Sequence, residues 1–431
     1  MKPIKNFFES KYFPPVTYLI TLVCWYFQLQ TPAIIYSALA IALTIISGAK
    51  RINIVTVVFA GLINYRATSY ETNFWPLLLA GIFILPLAVY DLVRKKINFN
   101  NPLFIALVFC FLASLFSLIN ITGEFLIYGV IGILQAFAYC YLFLYFWNKK
   151  EKDDYRRIGE NAVYLSLAIA LQIIIFLIQY KGDVLGKRIE LGWSASNSLA
   201  MVYLLLIPLA FYAYLDTGKW HLLLILGIDI AALFLTLSKG AYLTFGILLL
   251  PFFVYISRHV KNKSQFRKGI LVLFSAVLIA VGIMFLIPGI RAGLIGYLKQ
   301  MAERGWFNDQ ARIKIYRYGL DVFKEFPLFG SGAYTAKPYL IEGGFRAELK
   351  HYHNYVIQNL ATLGICGLLA FGYFIFQIFN QARKHPYNIA VIFAASAMLI
   401  HGLVDNTWHN PLIMIIMLIY LAFLVCPKEI D

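Results

Sequence analysis

The sequence predicts an all-α integral membrane protein with about 12 to 14 transmembrane helices. Of its 431 residues, 61% are hydrophobic and only 13% are charged, whereas soluble domains carry about a quarter charged residues. Apolar runs recur from Pro15 to the C-terminus, and most approach the roughly 20 residues that a helix needs to cross a bilayer. No small-residue cleavage site ends the first run, so we expect a membrane segment there rather than a cleaved signal peptide.

The apolar runs divide into about fourteen predicted spans. The second and third are short, and the region 220–257 could form one broken hairpin, so twelve spans also fit the sequence. We expect N-terminal transmembrane helices at 1–180 and a second membrane region at 181–431. The spans lie approximately at residues 16–30, 32–47, 52–66, 74–91, 102–120, 124–147, 161–180, 197–215, 220–237, 240–257, 269–287, 356–379, 388–404 and 411–426.

Basic residues predict the orientation of the spans. The formal net charge is +16, and basic clusters stand in short loops, such as "RKK" at 94–96, "KKEKDDYRR" at 149–157 and "RHVKNKSQFRK" at 258–268. These clusters fall on one side when the spans alternate, and the positive-inside rule assigns that side, with both termini, to the cytoplasm. The rule explains most of the excess charge, so we expect contacts with membrane lipids and no nucleic-acid partner.

One large loop, at 288–355, is the main polar segment, and this orientation makes it extracytoplasmic. It is too long to be a simple connection. In "RIKIYRYGLDVFKEFPLFGSG", a helical pattern ends at Pro327, which predicts a short amphipathic helix at the outer interface of the membrane. The apolar residues of that pattern are Ile313, Tyr316, Leu320 and Phe323.

The sequence excludes several common chemistries. It contains no G-x-x-x-x-G-K-[ST] loop, no G-x-S-x-G elbow and no H-E-x-x-H pair. His351 and His353 are two residues apart and would point to different faces of a helix, so we expect no metal site there. The five cysteines lie in or beside apolar spans and resemble small hydrophobic side chains. We therefore expect neither a metal nor another cofactor.

Four cations on the outer side are candidates for binding phosphate. Arginine forks match phosphate oxygens, and Arg312 is favoured because it begins the predicted helix, near the positive end of the dipole. The other three could instead reach toward lipid headgroups. They are Arg188 in the loop 181–197, Lys239 in the "TLSKGA" turn and Arg317 on the amphipathic helix.

His353 and Asn354 stand directly in front of the apolar run 356–379. A neutral imidazole suits proton abstraction near neutral pH, although a lone histidine there could also be a capping residue. Asp405, in "HGLVDNTWHNP", returns to the outer side and could orient the site or balance its charge. Asp229 lies within a span, which makes it either a functional candidate or a partner of Ser238 or another polar helix side chain.

Four stretches of the chain carry recognisable motifs. "GWSASNSLA" at 192–200 contains Gly…Asn-x-x-Ala, and "TLSKGAYLTF" at 236–245 contains Thr-x-Ser-Lys-Gly-Ala. "RIKIYRYGLDVFKEFPLFGSG" opens with an arginine and ends in Pro-Leu-x-Gly-x-Gly, and "HNYVIQNLATLGICG" contains His-Asn, nine residues and Gly-x-x-Gly. In order and spacing, over about residues 185 to 425, they resemble the O-antigen ligase and O-antigen polymerase superfamily.

The resemblance implies a GT-C-like membrane glycosyltransferase that moves a glycan from an undecaprenyl diphosphate carrier onto a glycan or glycolipid hydroxyl. It places the reaction at the outer face of the bacterial cytoplasmic membrane, without a metal. His353 matches the family's proposed general base, Arg312 its essential loop arginine and Arg188 the arginine of the preceding outer loop. Lys239 stands where an arginine is usual, which keeps the charge and loses the bidentate fork.

Single displacement at the anomeric carbon predicts an inverting reaction. Asn354, Asp405, Arg317, Lys239 and Arg188 are then candidates for binding the diphosphate or the glycan. Gly364 and Gly367 are spaced to let a neighbouring helix approach closely and hold the base.

The acceptor distinguishes two enzymes. A polymerase adds the growing lipid-linked chain to the next repeat unit, whereas a ligase transfers the glycan to lipid A-core or to protein. Frequent Ile, Lys, Asn, Phe and Tyr suggest an AT-rich genome and a bacterium without lipopolysaccharide, which favours the polymerase. Other polysaccharide-export proteins are then expected as partners. A lipid-linked glycan transporter or flippase is the alternative from another class, and it predicts inverted repeats and several ionisable residues at mid-membrane.

Overall fold

The computed structural model describes residues 1–64, 74–94, 96–151, 154–183, 189–260, 262–304, 310–383 and 389–424. These residues form helices and connecting segments, and no strand occurs among them. The chain divides into two compact units, one built from Met1–Ile97 and Asn148–Glu303, the other from Asn98–Trp147 and Arg304–Cys426. The prediction of an all-α integral membrane protein is confirmed.

The α-helices are numbered in chain order. They are α1 Lys2–Phe8, α2 Phe13–Tyr26, α3 Gln30–Ile46, α4 Ile52–Leu62, α5 Phe74–Val93, α6 Pro102–Phe116, α7 Leu126–Lys149, α8 Asp154–Gln179, α9 Ser196–Thr217, α10 His221–Leu235, α11 Lys239–His259, α12 Lys263–Leu286, α13 Pro288–Arg304, α14 Gln310–Glu325, α15 Ala336–Glu342, α16 Tyr355–Ala382, α17 Ile389–Gly402 and α18 Pro411–Leu424.

Among the described residues, seven helices are long and apolar enough to cross a membrane, and seven shorter apolar helices accompany them. Each of the fourteen predicted spans coincides with one of these. The long ones cover Pro102–Asn120, Gly123–Lys149, Asp154–Gln179, Ser196–Thr217, Lys239–Arg258, Lys263–Leu286 and Tyr355–Ala382.

In the first unit, two buried polar groups hold helices together. Asp229 on α10 is fully buried and accepts a hydrogen bond of 3.0 Å from the Ser166 hydroxyl on α8. This contact agrees with the second interpretation of Asp229, in which it is the partner of a polar helix side chain. Asp91 on α5 accepts hydrogen bonds of 2.8 and 2.6 Å from Arg51, and Lys149 Nζ lies 3.7 Å from its carboxylate.

In the second unit, an apolar cluster attaches helices α14 and α15, from the long loop 288–355, to the start of α16. The predicted helix is present as α14, and its residues Ile315 and Val322 pack into the cluster. Ile313 and Leu320 are each 39% exposed, and Gly319 lets the Tyr352 and Ile357 side chains approach closely. The cluster contains Phe125, Ile315, Val322, Ala336, Tyr339, Leu340, Tyr352 and Ala361.

Helix α16 is broken at Gly364, whose φ of 66° and ψ of −163° are not helical. The turn that follows α14 fills the break. Ser331 N and Gly332 N donate to the carbonyls of Ala361 and Thr362, at 2.9 and 3.0 Å. In return, the N–H groups of residues 365 and 366 donate to carbonyls of residues 327 and 328. The backbone groups released by the break are therefore satisfied by the turn.

The prediction that Gly364 admits a neighbouring helix is wrong. A Cβ atom at Gly364 would lie 2.4 Å from the Leu328 carbonyl oxygen, so the closely approaching element is the turn. At Gly367, a Cβ would meet the side chain of Leu363, which lies before the break in α16. Sequence spacing could not show this, because a glycine that packs and a glycine that breaks a helix are the same residue.

Candidate active site

The backbone of His353 is held in an unusual conformation immediately before α16. Its φ of 53° lies in the left-handed region, which costs a residue with a side chain on the order of 1–3 kcal/mol. Asn354 is the N-cap of α16, with its Oδ1 accepting from the N–H groups of Val356 and Ile357 at 2.9 and 3.1 Å. Tyr316 on α14 donates its hydroxyl to the His353 carbonyl at 3.1 Å. Both flanking elements therefore fix this residue.

The loop between α17 and α18 supplies the partner of the imidazole. His353 Nδ1 lies 3.4 Å from Asp405 Oδ1, and the same oxygen accepts from the Asn406 N–H at 2.7 Å. The amide of Asn354 donates to the Leu403 carbonyl at 2.9 Å, which connects that loop to the N-cap. A carboxylate that accepts from Nδ1–H orients the ring and leaves Nε2 to take a proton.

The electrostatics keep the carboxylate charged. Burial alone would raise the pKa of the Asp405 carboxyl, but the hydrogen bond with His353 and the adjacent His351 hold that pKa well below its ordinary value. Burial lowers the pKa of His351 to about 4, and the charges of His353 and Arg312 act in the same direction. Near neutral pH, Asp405 is thus an anion beside a neutral His351.

His351 contradicts the prediction that the two histidines diverge. Their ring centroids lie 4.3 Å apart at an interplanar angle of 71°, and His351 Nε2 lies 4.0 Å from Asp405 Oδ1. The prediction assumed a helix, whereas α16 begins only at Tyr355 and residues 351–354 form a bend. His351, His353 and Asp405 offer three potential ligand atoms, all within 4.8 Å of one another. This cluster was missed because helical geometry was applied to a non-helical segment.

Of the four predicted cations, the structure describes three. Arg312 is half-buried in the first turn of α14, close enough for its charge to lower the pKa of His351. Arg317 is exposed on the same helix. Lys239 is half-buried at the first position of α11, in the first unit. Arg188 lies outside the described residues. The structure therefore brings together His353, Asn354 and Asp405, with Arg312 near them.

A cavity of about 100 Å³ lies in the second unit, among α6, α7, α16 and α18. Its wall is mostly apolar, but Trp408 and His409 also line it, and in the part of the chain that the structure describes their Nε1 and Nε2 atoms are buried without a hydrogen-bond partner. Burial lowers the pKa of His409 to about 4. The sequence signal for these residues was the polar stretch "DNTWHN" at 405–410, from which only Asp405 was selected.

Residues 222–372 match a family model described as O-antigen ligase. The matched region includes the "TLSKGA" turn, the whole loop 288–355 and the His-Asn…Gly-x-x-Gly motif, whereas the stretch 192–200 and Asp405 lie outside it. No curated protein matches the chain. Residues 222–372 are thus similar to the O-antigen ligase family, and this match supports the superfamily that the motifs predicted.

Proposed function

We propose that this protein is an inverting membrane glycosyltransferase that moves a glycan from undecaprenyl diphosphate onto an acceptor sugar hydroxyl. The observation that carries the proposal is the His353–Asp405 pair, whose Nδ1 and Oδ1 atoms lie 3.4 Å apart at the start of α16. His353 belongs to the region that matches the O-antigen ligase family. The reaction takes place at the outer face of the bacterial cytoplasmic membrane, with both termini in the cytoplasm.

In the proposed step, His353 Nε2 accepts the proton of the acceptor hydroxyl. The acceptor oxygen then forms a bond to the anomeric carbon as the bond from that carbon to the diphosphate oxygen breaks. The electron pair leaves with the diphosphate, and the configuration inverts. Asp405 stabilises the imidazolium that forms, as an anion 3.4 Å from Nδ1.

Arg312 has the electrostatic role in this proposal. A diphosphate is a good leaving group, so it needs positive charge more than it needs a proton donor. Arg312 is half-buried in the first turn of α14, where the helix dipole adds positive potential. Arg317, Lys239 and Arg188 contribute to binding the diphosphate or the glycan, and Lys239 does so as a point charge rather than a fork. Asn354 contributes to substrate binding indirectly, because it caps α16 and holds the loop that carries Asp405.

The preferred acceptor is the next lipid-linked repeat unit, which makes the enzyme a polymerase of cell-surface polysaccharide. Transfer to lipid A-core or to protein is the ligase alternative. A transporter is disfavoured because, within the described parts of the spans, the buried Asp229 already has a partner in Ser166. The pKa values of His351 and Asp405, which both lie beside His353, are also shifted.

The test uses the purified full chain in lipid vesicles that contain only undecaprenyl diphosphate-linked repeat units. A glycan ladder on a gel that disappears with His353→Ala and persists with His221→Ala supports a polymerase with the proposed base. His221 is an exposed histidine at the start of α10 and serves as the matched control. Release of the carrier diphosphate only after a different acceptor is added indicates a ligase. Lipid translocation without transfer contradicts the enzyme proposal.

A further inference from the structure

We propose that His351, His353 and Asp405 form a binding site for a divalent transition-metal cation such as Zn²⁺, and that metal at this site inhibits the enzyme. The second part rests on the proposed function, because it concerns the base. The first part rests on geometry alone. Three potential ligand atoms, from residues 351, 353 and 405, converge within 4.8 Å.

The spacing fits a tetrahedral ion without a large rearrangement. At metal–ligand distances of about 2.0–2.1 Å, neighbouring tetrahedral ligands are about 3.4 Å apart. The distance from His353 Nδ1 to Asp405 Oδ1 is 3.4 Å, and that from His351 Nε2 to the same oxygen is 4.0 Å. All three atoms lie within 4.8 Å of one another, so they would have to close by up to about 1.4 Å to occupy three corners of a tetrahedron. The fourth side would be open to water.

The site is accessible and its frame is rigid. The side chains of His351, His353 and Asp405 are 30%, 22% and 14% exposed, so an ion can reach them. The backbone of His353 is fixed by Tyr316 and by the Asn354 cap. A preorganised frame lowers the cost of ordering the ligands when the ion binds.

The ligand set selects the class of metal. Two imidazoles and one carboxylate suit Zn²⁺ and related first-row ions, whereas Mg²⁺ and Ca²⁺ prefer oxygen ligands. The nearby charge of Arg312, which already acts on His351, opposes any cation. We therefore expect reversible binding that a chelator removes.

Metal on His353 Nδ1 would disable the base through its tautomer. A neutral imidazole carries one N–H, so metal at Nδ1 leaves the hydrogen on Nε2. Nε2 would then be a donor and could not accept the proton of the acceptor hydroxyl. The metal would also remove Asp405 from its hydrogen bond with the ring. The expected effect is inhibition rather than activation.

Cobalt(II) is a direct probe of the site, with a readout that does not depend on activity. The full chain, purified in detergent and freed of any polyhistidine tag, is titrated with Co²⁺ and monitored by visible absorption. We expect one equivalent to give the intense bands of a four-coordinate site and Zn²⁺ to displace them. His351→Gln and Asp405→Asn should abolish the bands, whereas His221→Gln, an exposed histidine of the first unit, should keep them.

Absence of the bands in the unchanged protein, or their survival in His351→Gln, would overturn the site. A thermal melt of each variant shows whether a loss of binding reflects unfolding, and His351→Ala provides a second substitution at the same position. In the vesicle assay, Zn²⁺ should inhibit transfer, a chelator should reverse this, and His351→Gln should weaken the inhibition at least tenfold. Activation by Zn²⁺ would overturn the inhibitory role. If no transfer occurs at all, the proposed function fails while the Co²⁺ titration still decides the site.

Discussion

His353 Nδ1 lies 3.4 Å from Asp405 Oδ1, across 52 residues of sequence. The contact joins the residue before α16 to the loop between α17 and α18, so neither residue's local sequence specifies it. Its consequence is chemical, because a carboxylate at Nδ1 fixes the tautomer and leaves Nε2 as the proton acceptor. The left-handed backbone of His353, at φ 53°, indicates that this orientation is maintained at a cost.

Tyr316→Phe tests how that orientation is maintained. Without the 3.1 Å hydrogen bond from Tyr316 to the His353 carbonyl, the strained backbone should relax and misplace the ring. We expect a fall in kcat on the order of tenfold with little change in KM, measured by transfer in vesicles. Tyr318→Phe on the same helix removes a 2.7 Å bond to the Tyr339 carbonyl. This control should keep kcat, and an equal loss in both variants would contradict the assignment.

Gly364→Ala should destabilise the second unit. The φ of 66° disfavours any side chain, and the new Cβ would meet the Leu328 carbonyl oxygen at 2.4 Å. We expect a loss of about 2–4 kcal/mol, from the left-handed conformation and overpacking together. Thermal unfolding in detergent measures it. Gly372→Ala, in the same helix with no atom within 4 Å of its added Cβ, is the control and should be neutral.

Asp91→Asn should destabilise the first unit. Asp91 pairs with Arg51 and Lys149, and its side chain is only 7% exposed. Removing the anion leaves two cations with little solvent, which costs about 3–5 kcal/mol. The matched change is Asp321→Asn, where the partner Lys324 and Asp321 are 74% and 63% exposed, and we expect no measurable effect there. Equal melting temperatures for the two variants would refute the role of the buried cluster.

The protein should lose stability as the pH falls from about 6.5 to about 4. Burial lowers the pKa of His409 from 6.5 to about 4, so the unfolded chain binds more protons than the folded chain in that window. His409→Gln should reduce the loss, whereas the exposed His221→Gln should not. Melting temperatures at about pH 7 and pH 5 measure the difference. The same pH slope in all three proteins would argue against a buried neutral His409.

The spans and the helix α14 were predictable from the sequence. Bilayer thickness fixes the length of an apolar run, and helical periodicity needs only local sequence. The packed face of α14 was not predictable, because Ile315 and Val322 are buried by distant residues such as Tyr339 and Tyr352. Ile313 and Leu320, which belong to the predicted apolar pattern, are each 39% exposed, as an interfacial helix allows.

The candidate site was predictable only in part. His353 and Arg312 were selected from motifs, and Asp405 from a weak signal that became a direct contact. His351 was rejected because helical geometry was assumed before α16 begins. Trp408 and His409 were not selected from the polar stretch at 405–410, because their buried unpaired nitrogens depend on tertiary packing. The sequence could not predict these features because they arise from contacts between segments that are far apart along the chain.

A double-mutant cycle on His353 and Asp405 tests the central claim most directly. Transfer in vesicles is measured for His353→Ala, Asp405→Asn and the double variant. If the two residues act as one base, each single change should slow transfer about 10²–10⁴-fold. The double variant should then be no slower than His353→Ala alone. Fully additive losses would contradict this account, and so would a His353→Ala protein that transfers glycan at the rate of the unchanged protein.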